Sequence, residues 1–440
     1  MRSLFNHHVI PAAICLLAIQ SAWVSASSDA DAEPINYSSA LLNDSIARLE
    51  KRLASGESTL KSGETGGYLS SLLEALNISS DSQTLVFSKT SFQPHFIGPE
   101  SPRALYFNDD TYIGWVQGSD MIEIASMDAQ KGAIFYTLSQ RNLKKAVFSR
   151  QTDSCLQCHE SGVTDHIPGL LLRSVFPDSD GMPVYSAGTF RISHESPLKE
   201  RWGGWYVSGK HGNQIHMGNM RIKDRDAPQL TDMSKGANVT DLKDLFDTKP
   251  YLKASSDIVA LMVLEHQAKA HNLLIRANHL TRLALRDEVV MSEALGRKLS
   301  GHSESTISRI KSAGDPLLKY LLFAEETEIT APIEGTTDFA RTFQTLGPRD
   351  KSGRSLRDFD LKSRMFKYPC SYMIYSEAFD ALPALAKDYF WRRLYDLLTN
   401  KDSPPEFARL TAEDRKAILE ILRTTKADLP SYWKAEPGIP

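Results

Sequence analysis

The chain has 440 residues, 41% hydrophobic and 24% charged, with 25 Gly and 21 Pro. That is ordinary globular composition with apolar material for more than one core, and it excludes a disordered, collagen-like or disulfide-built protein. With 51 Lys and Arg against 54 Asp and Glu the net charge is -3, and no dense basic run offers an electrostatic footprint for nucleic acid.

The chain opens with MRSLFNHH, VIPAAICLLAIQ and SAWVSAS: a basic start, an apolar stretch of about a dozen residues and a small-residue cleavage site. Residues 1–26 are expected to be a secretory signal peptide cut after Ala26. Pro11 interrupts the stretch, which is shorter than the roughly twenty residues a bilayer core requires. The mature chain, having lost Arg2, carries a net charge of -4. No later apolar run is long enough to span a membrane, so the expected location is the periplasm or otherwise outside the cell.

A helical segment is expected over 27–82, with an amphipathic helix at 36–54 and a short one in GYLSSLLEAL. From 83 to 137 the pattern changes to TLVFS, ALYF, YIGWV, MIEIAS and AIFYTL, separated by Pro, Gly or Asp pairs, which predicts an antiparallel sheet. We assign 83–240 to this sheet and the loop region after it. Residues 241–440 read as a helical domain, with helices at about 257–285, 289–312, 315–325, 376–399 and 411–425, the first capped from Ser255, Ser256 and Asp257 and buried on most sides. The fold class is α+β, mainly α.

Of four cysteines, Cys15 leaves with the signal peptide and only Cys155, Cys158 and Cys370 remain, too few for a disulfide framework. Residues 154–160 read SCLQCHE, so Cys155, Cys158 and His159 form C-x-x-C-H, the attachment pattern of a c-type haem. Two thiols three positions apart can each add to one porphyrin vinyl group, and the next residue then offers its imidazole to the iron. At this chain's own Cys and His frequencies the pattern arises by chance about once in a thousand such chains. The competing interpretations are a local disulfide, a thioredoxin-like redox pair and half of a zinc site. A zinc site needs a second ligand pair that does not stand nearby, and a redox pair belongs at a strand-to-helix junction, whereas this motif follows the polar stretch FSRQTDS. Cys370, among aromatics in KYPCSYM, reads as an inert buried thiol.

CHESGVTDHIPG is similar to the corresponding segment of small c-type cytochromes, in which a Pro shortly after the motif offers its carbonyl to the proximal imidazole. Pro168 matches that role, although Ile167, Pro168 and Gly169 would equally form a plain turn. More widely the mature chain resembles a family of large single-haem c-type cytochrome proteins of the bacterial cell envelope, on the strings PRALYFNDDTYIGWVQG, SPLKERWGGWYVSGKHG, HMGN, LEHQAKAHNLLIRAN and FKYPCSYMIYSEAFDALP. The resemblance implies family membership and one covalent haem c; it supplies no reaction or substrate.

The second axial ligand then decides the function, since a six-coordinate iron carries electrons and an open one binds small molecules. Met217 lies 58 residues after His159 and Met220 lies 61 after it, within HGNQIHMGNM, a spacing like that of the distal Met in small c-type cytochromes. If residues 215–217 are extended, His216 and Met217 face opposite ways and only one can reach the iron; Met217 is preferred, with His216 and Met220 as alternatives, Met182 a weaker one, and plain packing as the bland one. Trp202, Trp205 and Tyr206 beside Gly203 and Gly204 would suit either a porphyrin face or a packed strand pair. Glu265, His266 and His271 are candidates for a second metal or acid–base site, but positions five apart on a helix point about 140 degrees apart, so satisfied core polar groups are expected.

Two functions follow. The first is an exported single-haem electron carrier, working with a redox protein or a small-molecule donor or acceptor. The second is a haem oxidoreductase, peroxidase-like or oxygen-dependent, because a carrier needs far less chain than the 414 residues after Ala26; His194, Arg191 and His211 are its candidate distal groups. A haem used as sensor or structural staple ranks last.

Overall fold

The computed structural model describes residues 30–63, 66–141 and 145–434; the expected signal peptide lies outside them. The alternating runs form β1 (Thr84–Val86), β2 (Arg103–Phe107), β3 (Thr111–Trp115), β4 (Met121–Asp128) and β5 (Gly132–Ser139), each antiparallel to the next. β6 (Phe148–Gln151) continues this sheet beyond β5. A separate ribbon pairs β7 (Arg173–Val175) with β8 (Thr189–Arg191), and β9 (Trp205–Tyr206) returns to the main sheet beside β1.

The period-two pleat sends alternate residues to two cores. Ile122, Ile124, Ile134, Tyr136 and Leu138 face α1 (Ser45–Ser55) and α2 (Leu69–Ala75). Ala125, Met127 and Phe135 face the opposite way, toward the C-terminal helices. Between β6 and β7 lies the one-turn helix α3 (Leu156–His159). The C-terminal part is built on α4 (Ile258–Ala294), whose first half is apolar on nearly every side and buried, as a helix enclosed by other elements must be. Around it pack α5 (Glu304–Leu321), α6 (Phe339–Thr345), α7 (Glu377–Asp380) and α8 (Ala384–Leu398), with α9 (Ala412–Thr425) behind α8. The result is an α+β fold with more helix than strand. Among the described residues no helix is long and apolar enough to cross a membrane.

Several boundaries differ from expectation. α1 starts at residue 45 rather than 36, because the Asp44 carboxylate caps it, accepting from Ile46 N at 2.9 Å, while its other oxygen takes the Tyr136 hydroxyl at 2.8 Å. The helix expected over 376–399 is α7 and α8, parted before Pro383. The helix expected over 289–312 is divided, its first residues ending α4 at Ala294 and its last belonging to α5, which starts at Glu304 and runs on through Pro316 to Leu321. Proline leaves the carbonyl four residues earlier without its partner, and here that carbonyl, Ser312 O, faces the Arg276 guanidinium at 3.5 Å. FSRQ, read as a polar stretch, is β6. An edge strand needs no strict alternation, and Arg150 secures it by donating to Tyr37 O and Ser38 O.

The start of α4 is the main junction. Asp257 accepts from Val259 N at 2.8 Å and Ala260 N at 3.2 Å, and its second oxygen accepts from Thr336 N and Thr337 N at 2.7 and 2.8 Å. Asp257→Ala should cost about 3 kcal/mol or more, the sum of a lost cap and buried donors left unpaired; a chemical denaturation midpoint unchanged by the substitution would contradict this role.

Candidate functional site

α3 brings the three motif side chains onto one turn. The N–H groups of Cys158 and His159 both donate to Cys155 O, at 3.3 and 3.0 Å. Both cysteines are free thiols, Cys155 half-buried and Cys158 exposed. Burial, assisted by the Glu123 carboxylate, pushes Cys155 up to about 11. A redox-active cysteine has the opposite environment, one that favours the thiolate.

His159 is held by a reciprocal pair with Gly169. Its Nδ1 donates to Gly169 O at 2.9 Å, and Gly169 N donates to His159 O, also at 2.9 Å. A carbonyl only accepts, so Nδ1 carries the ring proton and Nε2 is left as a lone pair. Burial lowers the basicity of His159, which keeps the ring neutral. The carbonyl that orients the imidazole therefore belongs to Gly169, not to Pro168 as expected. Pro168 O instead accepts from Ala133 N at 3.0 Å, tying the loop to β5. On the other side Asn272 of α4 clamps the loop, accepting from Leu170 N and donating to Leu170 O, both at 2.8 Å. A Cβ at position 169 would meet the Asn272 amide oxygen at 2.7 Å, which explains the glycine.

The sheet contributes residues that sequence reasoning missed. The Phe135 ring lies 4.6 Å from the His159 ring. Phe135 pairs directly with Ala125, so Glu123, two residues before, stands diagonally on the same face. Glu123 pairs with Arg103 at 2.5 Å and accepts from Gln93 Nε2 at 2.9 Å. The Arg103 guanidinium lies across Gly114, where any Cβ would strike it, and its Nε is buried without a partner. The charges of Arg103, Glu123 and Arg173 all reach His159. The available signal was a lone Glu in the alternating run MIEIAS beside a Gly in YIGWV.

The other candidates lie elsewhere. Met217 is buried, its sulfur accepting the Ser174 hydroxyl at 3.5 Å. Successive strand residues face opposite ways, so Ser174, which holds Met217, and Arg173, whose charge reaches His159, look to opposite sides of β7. His216 packs on Trp202 and His211, and its Nδ1 accepts from Gly218 N at 3.0 Å; neutral His216 therefore carries its proton on Nε2. His211 Nε2 accepts from Asn238 N in the same manner. Met220 is half-buried and Met182 exposed. Arg191 is exposed and donates to Val163 O just after the motif. The Trp202, Trp205 and Tyr206 polar atoms donate to Glu265, Arg173 O and Pro99 O, while Gly203 and Gly204 let this segment approach Val175 and Ser88, so these residues serve strand packing.

In α4, Glu265 pairs with Arg201, His266 bonds Ser371 and His194, and His271 bonds Asp109 O. The three diverge as their spacing requires, and among the described residues no group of three or more His, Cys, Asp or Glu converges as a metal site. Cys370 is buried, its thiol pushed up to about 12 by burial.

No protein-family model matches the chain, and no curated protein or solved structure is significantly similar to it.

Burial lowers His216 and His266 to about 3 and His271 and His279 to about 4, whereas burial raises Glu265 and Glu326 to about 7. Between pH 6.5 and 4.5 the unfolded chain protonates the four imidazoles and the folded chain does not. The two carboxyls act in the opposite sense over the same window, since the folded chain protonates them first. The imidazoles are the majority, so stability should fall on acidification from pH 6.5 to pH 5, by about 1.4 kcal/mol per pH unit for each proton of imbalance. Melting temperatures recorded at constant ionic strength test this; a value that rises over that interval would contradict the assignment of buried neutral imidazoles.

Proposed function

We propose that the protein is an exported single-haem c-type cytochrome of the bacterial envelope, with haem c joined through Cys155 and Cys158 and its iron bound by His159, working in electron transfer. The observation that carries this is the His159 tautomer: with Nδ1 committed to Gly169 O, the ring presents a neutral Nε2 lone pair from the same turn that carries two reduced thiols. That donor set fits the group. A metal-binding imidazole with its other nitrogen bonded to a carbonyl is the usual arrangement for orienting the ligand and raising its basicity. Once attached, the haem would supply a one-electron couple. The chain's own contribution is to hold Nε2 in place from both the sheet and α4, and to leave Cys158 exposed on the side a redox protein or small-molecule donor or acceptor could approach.

A carrier also needs a second axial ligand, and the proposed one is Met217. Ligation requires the Met217 sulfur to give up the Ser174 hydroxyl and the loop that carries it to move from its packed place on the side of β7 turned away from Arg173 and His159. A second reading, a haem oxidoreductase with an open iron position, is favoured by the same facts: the Met217 sulfur already has a partner, and the His216 tautomer places a proton on Nε2.

Absorption spectra of oxidised and reduced mature protein, made in cells equipped for cytochrome maturation, separate the two. The carrier should be low-spin in both states, and Met217→Ala should make it high-spin. A high-spin wild type whose spectrum Met217→Ala leaves unchanged would overturn the carrier in favour of the oxidoreductase, and a colourless protein would overturn both.

A further inference from the structure

Away from the motif, the structure contains a second set of reactive side chains around a small cavity. Its volume is about 10 Å³, and its polar walls come from His194, Arg201, Gln214, Glu326, Thr327 and Glu328. That space suits one water molecule with several polar partners. His194, which lines this cavity, is 2% exposed, and its Nε2 has no hydrogen-bond partner. Leaving a buried imidazole nitrogen without a partner is costly, so this atom points to an occupant.

The rest of the ring is fixed. His194 Nδ1 bonds His266 Nδ1 at 2.8 Å, His266 Nε2 bonds Ser371 Oγ at 2.7 Å, and Tyr320 stacks on both rings. In one tautomer of this chain His194 shows the cavity a lone pair, and in the other an N–H, with both rings neutral in each. Glu326 lines the same cavity. One oxygen accepts from Met365 N at 2.7 Å, and the residue also lines an open cleft of about 490 Å³ beside α9, floored by Phe323, Phe407 and Leu410. It stands between cavity and solvent.

We propose that the cavity is an acid–base site in which one water molecule bridges His194 Nε2 and the Glu326 carboxyl, with Glu326 as the entry point for protons from the cleft. In the transfer the Glu326 O–H bond breaks and the His194 Nε2–H bond forms through the water, leaving a carboxylate and an imidazolium whose sum is neutral, and the reverse step restores both. The surroundings are consistent with this: burial raises Glu326 to about 7 against the Arg201, Arg409 and Arg364 charges facing it, and burial together with His266, Arg201 and Lys269 lowers His194, so the proton rests on the carboxyl.

A high-resolution crystal structure of the full mature protein should show one water within hydrogen-bond distance of both groups. An empty cavity, or a His194 Nε2 bonded to protein, overturns the proposal. In solution, exchange of the His194 ring proton with bulk water, followed by ¹⁵N imidazole NMR, should slow about tenfold or more in Glu326→Gln, which keeps the bond to Met365 N, and be unchanged in Glu413→Gln, which lines the cleft but not the cavity. Equal rates in wild type and Glu326→Gln contradict the entry role, and if that variant does not fold, the water position in the wild type decides.

Discussion

The candidate site depends on a loop clamped from two sides. Asn272 of α4 grips the backbone at Leu170, and Ala133 of β5 donates to Pro168 O. Between those anchors Gly169 is left with one carbonyl free to face α3, and His159 takes it. Loosening either anchor frees the imidazole to turn, and its tautomer is then no longer dictated. The sheet and the central helix therefore do for His159 what a longer helix would otherwise have to do.

What was legible in the sequence followed the strength of the local signal. Five alternating runs bounded by turn residues became five adjacent strands, because burial of one face and then the other leaves period two in the residues themselves. β6 was not legible: it is short, polar and at an edge, and its partners Tyr37 and Phe135 are distant in sequence. The continuity of α5 through Pro316 depends on Arg276 of another helix, so no local rule could supply it.

At the site, the contiguous C-x-x-C-H spacing singled out Cys155, Cys158 and His159. The supporting carbonyl was misplaced by one residue, since the choice between Pro168 and Gly169 is made by Ala133, 35 residues from Pro168, and Asn272, 103 residues from Gly169. Arg103 and Glu123 escaped notice because each is unremarkable until the register sets them diagonally across Gly114. Of the polar residues of α4 singled out in the sequence, Glu265 and His266 are fully bonded core groups, whereas His271 bonds through Nε2 and leaves Nδ1 unpartnered; His266 also joins His194, which lines a cavity. The proposed acid–base cluster is joined through His266 to the same central helix whose Asn272 anchors the motif loop.

The central claim is that the turn at 155–159 is a prearranged attachment and ligation unit. Mass analysis of the proteolytic peptide spanning these residues, from mature protein exported by a maturation-competent cell, tests it most directly. The account predicts one haem carried by two thioether bonds on that peptide. A peptide recovered at its unmodified mass, with both thiols free to alkylate, would contradict it.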